Sequence, residues 1–322
     1  MILGFAGSIL ILGRSEPERA PAHGPITAQA VPLDPDDPER DRVGGLVYLG
    51  GWVLRSSDPD FGGISAMALD DGLFTAVGDA GGVFRFGLDE AGRIRGAEIA
   101  ALPDGPAPEG GGAIRKRDRD AESLAHDPAS GAFWIGFERA NVVWRYDRRI
   151  ARAEAHHAPE AMEDWPSNGG AEALVRLPDG RFLIMSEEGA GPGGSREALL
   201  FDGDPAAGER AVTRFGFGPP ADHNVTDAAI LPDGRLLVLT RRFSFVEGVS
   251  IVLCAVEFAA IEEGAVLGCE ALARLAPPLT IDNMEALAVG EEDGRTILWM
   301  ASDDNFNPLQ RTLLLKFALA EE

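Results

Sequence analysis

Residues 178–187 read PDGRFLIMSE: a Pro-Asp-Gly turn, an apolar run, then an acid. The phrase returns as DDGLFTAVGD at 70–79, ASGAFWIGFE at 129–138, PDGRLLVLTR at 232–241 and EDGRTILWMASD at 292–303. Asp-Gly ahead of an apolar run is a hairpin signal, and residues two apart share one face of a strand. Counted from the turn glycines Gly72, Gly131, Gly180 and Gly234, the side chains of Asp79, Glu138, Glu187 and Arg241 each lie seven residues on. Asp303 lies nine beyond Gly294, two further and therefore on the same face. The turn glycines are spaced by 59, 49, 54 and 60 residues. That is the length of a four-stranded antiparallel unit with its loops, and repetition at such a period means radial or stacked units.

Each interval can be read as four strands. In the first they are ISAMAL, LFTAVGD, GVFRFGL and RIRGAEIAAL, separated by Asp/Gly turns. The last unit has only three, EALAVG, TILWMASD and TLLLKFAL, and LVYLGGWVLRS (46–56) ahead of the first unit supplies the missing outer strand. Pairing the two ends closes a ring and removes the exposed edges of an open sheet. The expected fold is all-β, a β-propeller from about Val43 onward. It has five blades by repeat count, or six if a degenerate blade hides in a long loop. Residues 1–42 are expected to be an apolar N-terminus followed by a Pro-rich, acidic lead-in. With 40 Gly and 22 Pro, no long amphipathic helix is expected.

The net charge of −23 argues against nucleic acid and anionic membranes as partners, and it suits sites that hold cations. Ile2 to Leu12 is too short an apolar run to span a bilayer. It is similar to the apolar part of a secretory signal, although no Lys or Arg precedes it. A periplasmic or secreted protein is therefore expected, with no membrane insertion of the mature domain, and a monomer. Cys254 and Cys269 lie in strand-like runs joined by IEEG, where a regular hairpin would set them opposite each other. Two readings stay open, a disulfide or two buried thiols.

The segments opening each unit are GGISAM, DRDAESLA, SNGGAEALV, HNVTDAAI and IDNMEALA. In a propeller such strands line the central channel. Three carry an acid at one place, Glu122, Glu172 and Glu285. The fourth offers Asp227, but alignment on its turn sets Thr226 opposite Glu172, so a bulge is needed to bring Asp227 into line. Ser65 holds the place in the first. Asn168, Asn224 and Asn283 lie just upstream, and SDDNFN (302–307) adds Asp303 and Asp304. Crowded carboxylates with amide oxygens suit Ca²⁺ better than Zn²⁺, so all of these are candidate Ca²⁺ ligands. For the acids seven beyond the turn glycines, a second reading is that they accept backbone N–H bonds from the neighbouring blade. Candidate catalytic groups are Glu172, Glu285 and His223 for proton transfer, with Arg241 and its neighbour Arg242 for a substrate anion. His156 and His157 read as loop residues. There is no G-x-S-x-G elbow and no H-E-x-x-H, and the Gly-rich GPGGSRE and EGGGAIRK do not match a P-loop.

The order GGISAMAL, DAESLA, NGGAEAL, PDGRFLIMSE, TDAAILPDGRLLVLTRRF, DNMEALA and SDDNFNPLQRTLLLKFAL resembles the phytase-like family described by esterase-like activity of phytase. The resemblance covers roughly Gly62 to Leu319. It implies an exported bacterial propeller that hydrolyses a small-molecule ester or phosphoester, aided by Ca²⁺. Two alternatives stand beside that expectation: a non-catalytic Ca²⁺-binding propeller that binds a protein or glycan, and a propeller lactonase.

Overall fold

At Asp71–Gly72 and Asp293–Gly294 both turn residues take positive φ, 47° and 74° in the first and 51° and 73° in the second. This is the mirror-image turn whose twist matches that of the strands it joins, and Gly adopts it without a Cβ clash. Each of these two turns joins the first strand of its blade to the second. The computed structural model describes residues 24–107, 118–258 and 261–320. The apolar run at 2–12 and the EGGGAIRK segment lie outside the described residues.

Three strands precede the first blade: β1 (Thr27–Ala30), β2 (Arg42–Val43) and β3 (Leu46–Arg55). Blade 1 is β4 (Ile64–Asp70), β5 (Leu73–Gly78), β6 (Gly82–Leu88) and β7 (Ile94–Ala101). Blade 2 is β8 (Ala121–His126), β9 (Phe133–Phe137), β10 (Val142–Tyr146) and β11 (Ala153–His157). Blade 3 is β12 (Ala171–Arg176), β13 (Phe182–Ala190), β14 (Arg196–Phe201) and β15 (Val212–Gly218). Blade 4 is β16 (Asn224–Ile230), β17 (Leu236–Ser244), β18 (Gly248–Val256) and, after β19 (Val266–Gly268), β20 (Glu270–Leu275). Blade 5 is β21 (Met284–Glu292), β22 (Arg295–Ser302) and β23 (Thr312–Leu319), completed by β3 from the other end of the chain. The protein is an all-β, five-bladed propeller closed as its sequence implies, with β3 antiparallel to β23 from Leu46↔Leu319 to Leu54↔Thr312. Part of the lead-in joins it as well, because β1 pairs with the outer edge of β3.

The core lies between blades. Along β13, Phe182 and Ile184 pack toward blade 2, while Leu183 and Met185 pack toward blade 4. Along β17, Leu236 and Val238 face blade 3, and Leu237 and Leu239 face blade 5. A strand buried on both faces reads as an unbroken apolar run, which is why FLIM and LLVL do not alternate with polar residues. Blades 5 and 1 share Trp299, Phe74, Phe84 and Phe86, and blades 1 and 2 share Val77, Val83, Phe137 and Tyr146. Each fully buried side chain of this kind contributes roughly 1.5–3 kcal/mol.

Two local expectations are corrected. The run AVLGCEALARL is not one strand of a hairpin with β18. Its first part, β19, leaves to run parallel to β15 at the edge of blade 3, and only β20 pairs with β18. Cys269 sits at the pivot and is disulfide-bonded to Cys254. His156 and His157 lie on β11 rather than on a loop. His156 stacks on Trp144 at 4.2 Å, and His157 Nε2 meets Glu209 Oε1 at 2.7 Å.

Candidate active site at the channel mouth

All five inner strands carry a bulge at the same place. The pairing skips one residue between Ile64 and Ala66, Ala121 and Ser123, Ala171 and Ala173, Val225 and Asp227, and Met284 and Ala286. The bulged residues are Ser65, Glu122, Glu172, Thr226 and Glu285. A bulge re-aims the side chain of the extra residue, and five in register make one ring. Because the bulge recurs in every blade, it leaves the relative alignment unchanged, and Thr226 rather than Asp227 occupies the fourth place. Asp227 is therefore corrected as a ligand. Its Oδ2 accepts from the Leu287 N–H at 2.7 Å and its Oδ1 from the Ala228 N–H at 2.8 Å, which ties blade 4 to blade 5. Hydroxyls do similar work elsewhere: Thr226 Oγ1 donates to the Met284 carbonyl at 3.2 Å, Ser123 Oγ to that of Ala171 at 3.1 Å, and Ser65 Oγ to that of Ala121.

A second ring comes from the end of each second strand. The N–H groups of Asp79, Glu138, Glu187 and Asp303 donate to the carbonyls of Gly63, Asp120, Gly170 and Asn283 at 2.9–3.1 Å. Arg241 takes the fourth place, paired with Asn224. The longer offset of Asp303 is absorbed because the β21–β22 hairpin runs on to Glu292↔Arg295, whereas β4–β5 ends at Asp70↔Leu73.

The two rings together hold seven carboxylates and one guanidinium. Arg241 Nη2 lies 3.2 Å from Glu285 Oε1 and 3.7 Å from Glu187 Oε1, and its Nε–H is buried without a hydrogen-bond partner. Across the mouth, among the described residues, Glu122, Glu138 and Glu172 have no ion pair, and the nearest cations are held by their neighbours, Arg139 by Asp120 and Arg241 by Glu285 and Glu187. Two groups there bring carboxylate oxygens within 4.8 Å of one another, Asp120 with Glu122 and Glu138, and Glu138 with Glu172 and Glu187. Glu138 belongs to both. Its Oε1 also accepts the Gly169 N–H, so the blade-bracing role and membership of the acid cluster coexist in one side chain.

Burial, then repulsion from Asp120, Glu285, Asp79 and Glu138, holds Glu122 well above the ordinary carboxylate range. Glu172 is raised likewise by burial, then by Glu122, Glu187, Glu285 and Glu138. Burial pushes Glu285 up to about 8 against the pull of Arg241. Arg241 itself, which burial alone would lower, is held in its charged form by Glu285, Glu187, Glu172 and Asp303. Such a set either keeps protons or takes up a cation. Its all-oxygen donors fit a hard divalent ion such as Ca²⁺.

The remaining candidates divide. Asn283 is buried and hydrogen-bonds Glu285. Asn224 spends its Oδ1 on Arg196 at 2.8 Å and donates to Glu187 at 3.2 Å. Asn168 is exposed just ahead of Gly169. Asp304 braces blades 5 and 1, accepting from the Gly63 and Phe306 N–H groups and from Thr312 Oγ1. His223 stands apart from the acids: it meets the Ala221 carbonyl at 3.0 Å and Ser250 Oγ at 3.3 Å, and its nearest charges are Arg242, Arg274 and Asp222. Arg242, adjacent to Arg241 and thus on the opposite face, pairs with Glu247. The two arginines do not form a joint anion clamp. Asp120, two residues ahead of Glu122, ion-pairs with Arg139 at 2.7 Å and lines, with Arg139 and Phe137, a cavity of about 300 Å³. The seven-residue offset from the turn glycine was the signal for Glu138 and Glu187 as cluster members.

Among curated proteins none matches the chain in sequence. In shape, a chain of Kuenenia stuttgartiensis hydrazine synthase matches with TM-score 0.38 and 14% identity, covering 78% of this chain and 59% of that one, so this chain spans under two thirds of that chain's length. A chain from a nidogen/laminin complex matches with TM-score 0.40 and 8% identity over 87% and 88% of the two chains. The Myceliophteria thermophila Cps50 (Swd1) beta-propeller domain matches with TM-score 0.36 and 12% identity over 76% and 67%. Residues 59–306 match the family model described as Phytase-like: Esterase-like activity of phytase, a span that takes in blades 1 to 4, the two inner strands of blade 5 and both rings: the chain belongs to the phytase-like family.

Proposed function

We propose that the protein is a Ca²⁺-assisted hydrolase of uncharged esters acting at the channel mouth. The observation that carries this reading is the two buried to half-buried clusters of carboxylates that share Glu138, the oxygens of each within 4.8 Å of one another. Asp120, Glu122, Glu138, Glu172 and Glu187 would hold the cation, and a bound Ca²⁺ supplies polarisation of the scissile carbonyl. Glu285, with its proton affinity near 8, suits general acid–base work on the attacking water. Arg241 orients Glu285 through their 3.2 Å contact and sets a fixed positive charge beside a developing oxyanion. A carboxylic ester is favoured over a phosphoester because the arginines near the mouth are already engaged: Arg241 by Glu285, Arg139 by Asp120 and Arg311 by Asp282. A polyanion would meet the acids with few compensating charges. The disulfide fits an oxidising, extracytoplasmic compartment, and no helix of the described residues is long and apolar enough to cross a membrane. Periplasmic export and a monomeric state complete the proposal.

The test is turnover of p-nitrophenyl acetate and p-nitrophenyl phosphate with Ca²⁺ or with a chelator. Ester turnover is expected to require Ca²⁺, with Glu285→Gln lowering kcat by roughly 100-fold or more while the fold persists. Calcium that raises Tm without turnover of either compound overturns the reading in favour of a non-catalytic cation-binding propeller.

A further inference from the structure

The hydrolase reading leaves open what kind of ester enters, and the rim of the mouth bears on that. The β17–β18 hairpin does not stop at the acid ring. It continues past Arg241 through the pairs Arg242↔Ser250, Phe243↔Val249 and Ser244↔Gly248. At about 3.3 Å per residue its tip stands roughly 10 Å beyond the ring. The tip is ordered: Ser244 Oγ accepts from the Val246 and Glu247 N–H groups at 3.3 and 3.4 Å, and the rings of Phe243 and Phe245 meet edge-on at 5.2 Å. Yet Phe243, Phe245 and Val246 are 58, 98 and 93% exposed. The corresponding loop of blade 5 adds Phe306 at 41% and Leu309 at 90%. The equivalent loops of blades 1 to 3, residues 79–81, 138–141 and 188–195, contain no large apolar side chain. Among the described residues, the loops joining the second and third strands of blades 4 and 5 thus carry most of the apolar exposure at the mouth, with Val266 (50% exposed) beside Gly193 of blade 3 the one addition. Ordered hydrophobic side chains gathered in water on one face mark a binding surface.

At Phe306 this rim adjoins the acid ring. Gly63 has φ of +63°, and a methyl group there would lie 2.4 Å from Asp79 Oδ1 and 2.7 Å from the Phe306 ring. The ring of Phe306 and the carboxylate of Asp79 therefore border the same few cubic ångströms. The nearby cations are already paired, Arg242 with Glu247 and Arg311 with Asp282. What suits the combination is a ligand with an uncharged polar group at the acids and a hydrocarbon tail on the rim, since an anionic head would be repelled.

We propose that the substrate is an uncharged amphiphilic ester whose hydrocarbon chain lies along Phe243, Phe245, Val246, Phe306 and Leu309; this rests on the hydrolase reading above. Hydrolysis adds water across the acyl C–O bond and yields a carboxylate, a proton and an alcohol. The new carboxylate is repelled by the acidic mouth, which favours its release.

The experiment is kcat/KM with Ca²⁺ for p-nitrophenyl acetate, butyrate and octanoate. The expected result is a rise of at least about 10-fold from acetate to octanoate, well short of the ~4-fold per methylene that complete burial would give. The double variant Phe245→Ser/Val246→Ser, altered only at exposed positions, should retain the acetate rate and the wild-type Tm while losing most of that rise. An active enzyme with a flat chain-length series overturns the rim and leaves the hydrolase standing, as does a rise that survives the double variant. No turnover of any of the three esters overturns the hydrolase reading, and the rim proposal with it.

Discussion

Glu172 and Asp227 are both buried acids on inner strands, one residue apart in register, and their chemistry is opposite. Asp227 is held by two N–H donors, whereas Glu172 faces other carboxylates. Asp227→Ala is expected to cost about 1–3 kcal/mol by orphaning the N–H groups of Leu287 and Ala228, with little change in Ca²⁺ affinity. Glu172→Gln should raise the Tm of the metal-free protein by relieving repulsion, and weaken Ca²⁺ binding by at least about 10-fold; calorimetry on the two variants separates the roles. The pH dependence follows the same logic. A carboxyl with a raised folded-state pKa keeps its proton after the unfolded chain has lost it, so folding loses stability as pH rises. For Glu285 the window runs from the ordinary 4.5 to about 8, with a slope of about 1.4 kcal/mol per pH unit. Glu122 and Glu172 shift in the same direction. The Tm of the chelated protein should therefore fall between pH 5 and pH 8, and saturating Ca²⁺ should flatten that fall. A Tm that rises over the same range would contradict the acid cluster.

Among the elements, the hairpin is the unit the chain repeats, and its departures carry the individuality of each blade. The β21–β22 hairpin is two residue pairs longer at the turn end, which keeps Asp303 in the ring. The β17–β18 hairpin is longer at the mouth end, which creates the apolar tip. The strand following β18 is split, so that β19 braces blade 3 while β20 completes blade 4, and the Cys254–Cys269 bridge clasps the crossing point. With the bonded positions 15 apart in sequence, the double variant Cys254→Ala/Cys269→Ala is expected to lose about 3 kcal/mol in denaturant unfolding. The sequence showed the hairpins through turn and apolar run, but not the change of sheet. A three-residue strand such as VLG has no periodicity by which to choose its partner.

At the scale of the molecule, the ring is closed by one antiparallel pairing between the chain's two ends, β3 on β23. Removing residues 1–56 deletes that closing strand and bares the backbone edge of β23. Loss of a single cooperative transition in calorimetry, with association visible on size exclusion, is the expected outcome. A truncated chain that unfolds cooperatively as a monomer would mean the clasp is dispensable. The five inter-blade cores also explain how a chain of net charge −23 stays folded. Most charges lie on the outer strands and loops, while the charges at the mouth are those that closure of the ring forces together.

The amino-acid sequence by itself determined the repeat, the five turns, the four-strand units and the face on which each recurrent charge lies. Those depend on turn chemistry and on a side-chain period of two, both local properties. Tertiary structure alone decided which charges meet. Five aligned bulges chose Thr226 over Asp227, because a shift of one residue sends a side chain to the other face. Ring closure set Arg241 beside Glu285 and Glu187, and left Asp120, Glu122, Glu138 and Glu172 to gather without it. Neither relation is written in any one segment, since each depends on how neighbouring blades are placed around a common axis.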